Sequence, residues 1–484
     1  MRRTEACREP RRGARWLLLA LSVAAPGSLR AAEVTDTATA FEADNPFDFR
    51  LRVGYQYSTK TAAIKREHEG AGQQKVEVFK DLVYQQTRHT MGLRAEFGLY
   101  QDLMFSVELP FVMSDNRSLS YDQRLGGGCN YVPTDGNPPN CVNADNSSTT
   151  NSTFTEEHNG DTDPTHYIVP FGGYDAPGSR EGQQSMYPAG DTRVFGGPSR
   201  GGSGGNLFDT LNLGLTYALL SQRRDDTKPT WIINLEYQLS IGTVMTFSRD
   251  RPDANHGISD GLDHIVAKTA VSRRFKWVDP YAVFWFDYPF VRRDDTLYWD
   301  LGATAKNQMP QMSGGVRFGL EGVPYEKVKE GYKIALDVNA RIEGKFDGRG
   351  YSEIWEMLAS SPALACDPKW NPACDSSMTI NKYQGKPYSG LTTIENYASI
   401  GAEAALTVQA TKYVRFRANF IYKHDQSHLL TTDDVGKPTT AGSRVSAPGE
   451  YNPAFRPIIN EVGRRYKVDD VDMYTVGLWG QMMF

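Results

Sequence analysis

Apolar and polar residues alternate strictly along the stretch FDFRLRVGYQY, residues 47–57. The odd positions, such as Phe47, Val53 and Tyr57, are apolar, whereas the even positions are charged, polar or Gly. Successive side chains of a β-strand point to opposite faces, so the pattern predicts a strand with one apolar face. Its length is close to the roughly 9–11 residues that cross a bilayer when a strand is tilted.

The same alternation returns along the whole chain and gives twelve candidate strands. Those after the first are residues 91–99, 103–111, 211–219, 231–241, 265–271, 282–290, 316–320, 332–342, 400–408, 414–422 and 474–484. The connections between them alternate between long and short without exception, as in an outer-membrane barrel with loops on one side and turns on the other. We therefore predict an all-β fold: a closed up-and-down antiparallel transmembrane β-barrel of twelve strands, with short periplasmic turns and long extracellular loops.

The last candidate strand carries a recognisable motif. Its alternating residues are Tyr474, Val476, Leu478, Gly480, Met482 and the terminal Phe484. This segment resembles the C-terminal signature of Gram-negative outer-membrane β-barrel proteins, although Met482 stands where an aromatic residue is common and Gly480 where a larger apolar residue is usual. The resemblance implies location in the outer membrane, contact with the lipid bilayer, and an outer-membrane assembly machinery that reads Phe484 as its signal.

The first 31 residues have the composition of a secretory signal peptide. An Arg-rich start precedes the apolar run at 16–29, and small residues follow at Ala31 and Ala32. We expect residues 1–31 to be removed, residues 32–46 to form a short periplasmic N-terminal segment, and residues 47–484 to form the barrel. A segment of about fifteen residues is too short for a plug domain of the energised-transporter kind.

The charge balance argues against a nucleic-acid partner. The chain has a formal net charge of −5, and residues 1–31 hold seven Arg and two acidic residues, a net of +5. The mature chain would therefore carry −5 − 5 = −10. No transmembrane helix is expected after the signal peptide, because no run of 18 apolar residues follows it.

Four cysteines remain after the signal peptide, in two close pairs within the two longest loops: Cys129 with Cys141, and Cys366 with Cys374. In an exported protein, an even and locally paired set predicts disulfides inside the loops. Zinc binding is the alternative, but neither pair has the spacing or the nearby histidines of a zinc site. Acidic loop residues also lack the spacing of a dedicated calcium loop, so we expect no metal site and no cofactor.

Strand parity places many charged side chains inside the barrel. The candidate pore-lining residues are Arg50, Arg52, Arg94, Glu108, Glu236, Asp287, Arg415, Arg417 and Lys423. The basic ones fall on strands 11, 1 and 2, and the acidic ones on strands 3, 5 and 7, so opposite walls would carry opposite charge across a water-filled lumen. Alternatively, these charges pair locally and fill the interior, since an unpaired buried charge is very costly.

These features favour a porin-like channel for the passive diffusion of small hydrophilic solutes. The alternative is a non-conducting barrel that acts as a surface-exposed binding or structural protein through its long extracellular loops. An enzyme is not expected. His89, His264 and His424 lie at strand edges, but none has an obvious Ser or Asp partner two residues away on its own strand.

Overall fold

The computed structural model describes residues 32–41, 46–69, 76–121, 193–196, 207–247, 257–298, 309–327, 330–360, 364, 388–434 and 455–484. Twelve long strands form the barrel: β1 Phe49–Glu69, β2 Val76–Tyr100, β3 Leu103–Tyr121, β4 Thr210–Leu220, β5 Thr230–Ser240, β6 Leu262–Ser272, β7 Val278–Val291, β8 Ser313–Lys327, β9 Tyr332–Lys345, β10 Tyr397–Gln409, β11 Val414–Asp425 and β12 Tyr466–Met483. Each pairs antiparallel with its neighbours along the chain, and β1 also pairs with β12. The predicted closed, up-and-down barrel of twelve strands is confirmed.

Shorter elements lie at the loop end and in the N-terminal segment. They are the 3-10 turn Glu33–Thr35, the short strands Arg193–Gly196, Gly348–Gly350, Thr392–Ile394 and His428–Leu429, and the helices Trp355–Ser360, here α1, and Pro457–Asn460, here α2. No helix among the described residues is long and apolar enough to cross a membrane. The signal peptide at 1–31 and all four paired cysteines lie outside the described residues, so the signal-peptide and disulfide predictions stay predictions.

The outer face of the barrel is apolar and the inner face is polar. On β9, Leu336 and Val338 are exposed, whereas Asp337 and Asn339 between them are buried. At the turn end, the large rings of Trp277 and its neighbours project outward, as do side chains at a membrane–water interface. This arrangement is the reverse of a water-soluble barrel and fits an apolar solvent around the outside.

The two ends of the barrel sequence meet and close the sheet. The Phe484 amide donates a hydrogen bond to the Phe49 carbonyl at 2.8 Å, and the Phe49 amide donates to the Phe484 carbonyl at 3.2 Å. Their rings stack with centroids 5.9 Å apart. Closure pairs the backbone N–H and C=O groups of the sheet edges, which have no water to bind in lipid.

Four adjacent strands extend well beyond the membrane at the loop end. Strands β12, β1, β2 and β3 have 18, 21, 25 and 19 residues, far more than the roughly 9–11 that span a bilayer. In this extension the inner face becomes apolar: Ile64 and Leu82 are fully buried against Leu358 of α1 and its neighbours in one cluster. The extended strands thus enclose an ordinary hydrophobic core above the membrane.

Candidate functional site

The lumen holds all nine charged residues that strand parity placed there; eight contact a group of opposite charge, and Asp287 contacts His264, which is charged only when it is protonated. The pairs are Arg50 with Asp36 and Asp48, Arg52 with Glu96, Arg94 with Glu96 and Glu108, Glu236 with Lys268, Asp287 with His264, Arg415 with Asp36, Arg417 with Glu33, Asp337 and Glu403, and Lys423 with Glu343. Most of these contacts are about as short as a charge-assisted hydrogen bond, whereas Arg52 and Glu96 are 4.0 Å apart. The inner wall is therefore a paired network of ions.

This pairing corrects the expectation of a basic wall facing an acidic wall across open water. The basic side chains of β11 and β1 have acidic partners beside them, and two of those partners come from the N-terminal segment. Glu33 lies 2.8 Å from Arg417, and Asp36 lies 3.1 Å from Arg50 and 3.4 Å from Arg415. Because these arginines are largely buried, leaving them unpaired would cost far more than it would in water.

Glu403 on β10 is the centre of the network. Its Oε1 accepts hydrogen bonds from Arg417 at 3.1 Å and Asn419 at 3.1 Å, and its Oε2 accepts one from Arg341 at 3.0 Å. The Glu403 side chain is only 5% exposed. The carboxylate thus bridges two guanidinium groups, and Glu33 and Asp337 supply further negative charge to Arg417.

The described residues of the N-terminal segment, 32–41, lie in the lumen at the turn end. Glu33 contacts Arg417 of β11, whereas Thr35 shares a 2.7 Å hydrogen bond with Ser272 of β6, half the barrel away. The amide of Ala38 lies 3.3 Å from the sulfur of Met104 on β3. A segment that contacts strands on opposite sides must cross the lumen.

A middle chamber lies next to this segment inside the barrel. It has a volume of about 430 Å³, and its wall includes Glu33, Arg94, Glu108 and Glu403. Arg52 also lines it and lies over the ring of Trp479, 4.1 Å from the ring centroid. Charged and polar side chains thus surround a space large enough for a small solute.

An outer chamber of about 450 Å³ lies nearer the loops. Its wall includes Lys60, Arg88, His264 and Asp287 of the barrel strands, and Glu353 from the loop between β9 and β10. The Lys60 ammonium lies 2.7 Å from the Glu353 carboxylate, which joins this loop to the wall.

Helix α1 forms a cap at the loop end and begins two residues after Glu353. Trp355 and Met357 are at most 1% exposed, and the Trp355 ring meets Tyr351 edge-on with centroids 4.8 Å apart. The helix packs into the apolar core of the extended strands. No sequence pattern predicted this cap, because a six-residue helix inside a long loop is too short to show a recognisable periodicity.

Two histidines have acidic partners on neighbouring strands. His264 Nδ1 lies 2.9 Å from Asp287, and His424 Nδ1 lies 3.0 Å from Asp472, which also accepts a hydrogen bond from Tyr422. The sequence search considered only partners on the same strand, so it missed both pairs. Among the described residues, no group of three or more His, Cys, Asp or Glu is placed to hold a metal ion.

The closed barrel, its apolar outer face and its polar interior define an outer-membrane β-barrel protein. Among solved structures, an outer membrane channel from Pseudomonas putida F1 is similar, with 8% identity, a TM-score of 0.37, and coverage of 90% of this chain and 95% of that chain. An anion-selective porin from Comamonas acidovorans has 10% identity and a TM-score of 0.22, with coverage of 90% and 100%. The translocator domain of the autotransporter NalP from Neisseria meningitidis has 7% identity and a TM-score of 0.28, with coverage of 90% and 88%.

No protein-family model matches the sequence, and comparison with curated proteins gives no match. The similarity to solved structures concerns the barrel alone, and at these identities and scores it says nothing about solutes or mechanism.

Proposed function

We propose that the protein is an outer-membrane channel for the passive passage of small hydrophilic solutes. The observation that carries the proposal is the pair of chambers inside the barrel, of about 450 and 430 Å³, both lined by charged side chains. Such walls suit water and dissolved polar solutes, whereas an apolar solute would have to displace water from ionised groups. The proposal includes no catalytic step.

The N-terminal segment sets the expected size of the path. It crosses the lumen at the turn end, so solutes must pass beside it or displace it. We therefore expect a conductance smaller than that of an unobstructed barrel of the same strand number.

Single-channel recording in planar bilayers tests this proposal. Purified barrel should give discrete conductance steps, and Glu108→Gln should shift the reversal potential toward anions, because Glu108 lines the middle chamber. Asp226→Asn, in the exposed turn between β4 and β5, is the matched control and should leave the reversal potential unchanged. Folded protein that inserts into bilayers but gives no conductance would contradict the channel function.

A second candidate function is a non-conducting barrel that binds partners through its extracellular loops. The apolar cluster around α1 favours it, because Leu358 and Met357 are fully buried in the mouth of the extended strands. An apolar plug of this kind excludes water and ions. The bilayer experiment separates the two candidates, since only the channel conducts.

A further inference from the structure

A buried carboxylate without an ion-pair partner of its own among the described residues lies at the turn end of the barrel. Asp279, the second residue of β7, is 1% exposed, and neither of its side-chain oxygens has a well-formed hydrogen bond from a described residue. Its neighbour across the sheet is Glu321 of β8. Two carboxylates side by side in a buried position repel each other, so the site favours either a proton on one of them or a nearby cation.

The neighbouring cations are already engaged with other carboxylates. Lys333 lies 2.5 Å from Glu321, and Arg274 lies 2.6 Å from Glu326. These two pairs are each neutral, and adding Asp279 leaves the group of five with three negative and two positive charges. Counted over these five described residues, the site is one positive charge short.

The described part of the N-terminal segment begins at this site. Ala32 is 1% exposed and packs in a cluster with Ala270 and Tyr281, and its backbone nitrogen lies beside the Asp279 carboxylate. The next amide, that of Glu33, donates a hydrogen bond to Glu321 Oε2 at 2.9 Å. The backbone nitrogen of Ala32 is therefore the atom best placed to supply the missing charge.

We propose that the mature N-terminus is itself a structural group of the lumen: hydrolysis of the Ala31–Ala32 bond creates an α-ammonium on Ala32 that pairs with Asp279 and anchors the segment. A peptidase and one water molecule perform the cleavage, which leaves a carboxylate on Ala31 and the ammonium on Ala32. An uncleaved chain has a neutral amide at this atom and cannot supply the charge. The inference rests on removal of residues 1–31 and is independent of whether the barrel conducts.

Acylation of the α-amine in protein extracted from the outer membrane tests the anchor. Mass spectrometry should first find Ala32 as the first residue of the mature chain. A buried ammonium paired with Asp279 should then react with an amine-selective acylating reagent at least about tenfold more slowly in the folded barrel than after heat unfolding, which corresponds to a pKa raised by one unit or more.

Variants separate the ion pair from simple burial. Asp279→Asn should restore fast acylation of Ala32 in the folded barrel, whereas the exposed turn variant Asp226→Asn should behave as wild type. A mature chain that starts at another residue would overturn the proposal. So would equal reactivity before and after unfolding, or an α-amine that stays protected in folded Asp279→Asn.

If Asp279→Asn does not give a folded, heat-modifiable barrel, the pH dependence in the wild type decides. A free α-amine has a pKa of about 7.7–8.0, so its acylation rate levels off above that range. The paired ammonium should instead react faster with each rise in pH up to about pH 9 or beyond, because Asp279 favours the charged form. A rate that levels off near pH 8 in the folded barrel would contradict the anchor.

Discussion

Glu403 shows at the scale of one residue how the lumen is stabilised. Glu403→Gln removes the charge that Arg341 and Arg417 share, and all three side chains are largely buried. Arg417 keeps Glu33 and Asp337, but Arg341 loses its ion pair, and removing one partner of a buried pair typically costs roughly 3–5 kcal/mol. We expect a fall of that size in the free energy of unfolding, measured by urea titration of the folded barrel in lipid or detergent.

Glu108→Gln is the matched control for this prediction. Glu108 also pairs with an arginine, Arg94, but its side chain is 34% exposed, so water can replace much of the lost interaction. We expect its effect to stay below about 1 kcal/mol. Equal losses for the two variants would show that burial does not set the strength of these pairs.

Phe484 acts where the barrel closes. Its backbone exchanges two hydrogen bonds with Phe49, and its side chain is exposed on the outer face, where the assembly machinery is proposed to read it. Deletion of Phe484 should therefore lower the amount of barrel in the outer membrane, measured as the heat-modifiable band on gels of membrane fractions. The control is Phe41→Ala, which removes an exposed ring outside the strands and should leave the amount of barrel nearly unchanged. Undiminished barrel without Phe484 would contradict the proposed signal.

The partners of single residues were the hardest feature to predict from the sequence. Parity placed Arg415 and Arg417 on the inner face, and the structure agrees. Their partners Asp36 and Glu33 lie 379 and 384 residues earlier, in a stretch with no alternation. No local pattern encodes such a contact, because it depends on how the closed barrel brings distant segments together.

At the scale of elements, the alternation predicted all twelve barrel strands but neither the short strands of the loops nor the full length of the longest barrel strands. β1 was predicted to end at residue 57, yet it continues to Glu69. Within the membrane its outward residues, such as Val53, are apolar, but beyond it the buried apolar residues are Ala62 and Ile64, on the opposite parity. The apolar residues change from the outer to the inner face because the surroundings of the strand change from lipid to water. The predicted strand therefore ended where the outward residues ceased to be apolar.

The cap formed by α1 depends on the ion pair between Lys60 and Glu353. Burial raises the pKa of the Glu353 carboxyl, but the Lys60 ammonium lowers it more, so the pKa lies below its ordinary value. The pair therefore contributes stability that is present above about pH 4.3, the pKa of an unfolded Glu, and is lost as pH falls through the lower folded value. We expect the cap to loosen and conductance to rise on acidification below about pH 4.

Recordings at neutral and acidic pH check this prediction. Glu353→Gln should show the raised conductance already at neutral pH and should respond less to acid, because the charge is absent throughout. The control Glu461→Gln changes an exposed carboxyl at the same end of the barrel and should keep the wild-type response. If wild type and Glu353→Gln respond identically to acid, the cap is not controlled by this pair.

At the scale of the whole molecule, the barrel and its N-terminal segment form one electrostatic unit. A twelve-stranded barrel encloses more space than its own side chains fill, and the segment occupies part of that space at the turn end. Glu33 and Asp36 bring negative charge to the arginines of β1 and β11. The segment is too short for a plug domain, but its described residues reach from Arg417 of β11 to Ser272 of β6.

The double variant Glu33→Gln with Asp36→Asn tests whether this unit controls permeation. It leaves Arg415 and Arg417 with fewer partners, so the segment should be held less tightly and the wall should become more positive. We expect a larger conductance and a reversal potential shifted toward anions in a salt gradient. Arg415→Glu with Arg417→Glu should instead destabilise the barrel, because it places new carboxylates next to Glu33, Asp36 and Glu403. If the neutralised segment gives the same conductance and selectivity as wild type, the path for ions does not pass the arginines of β11.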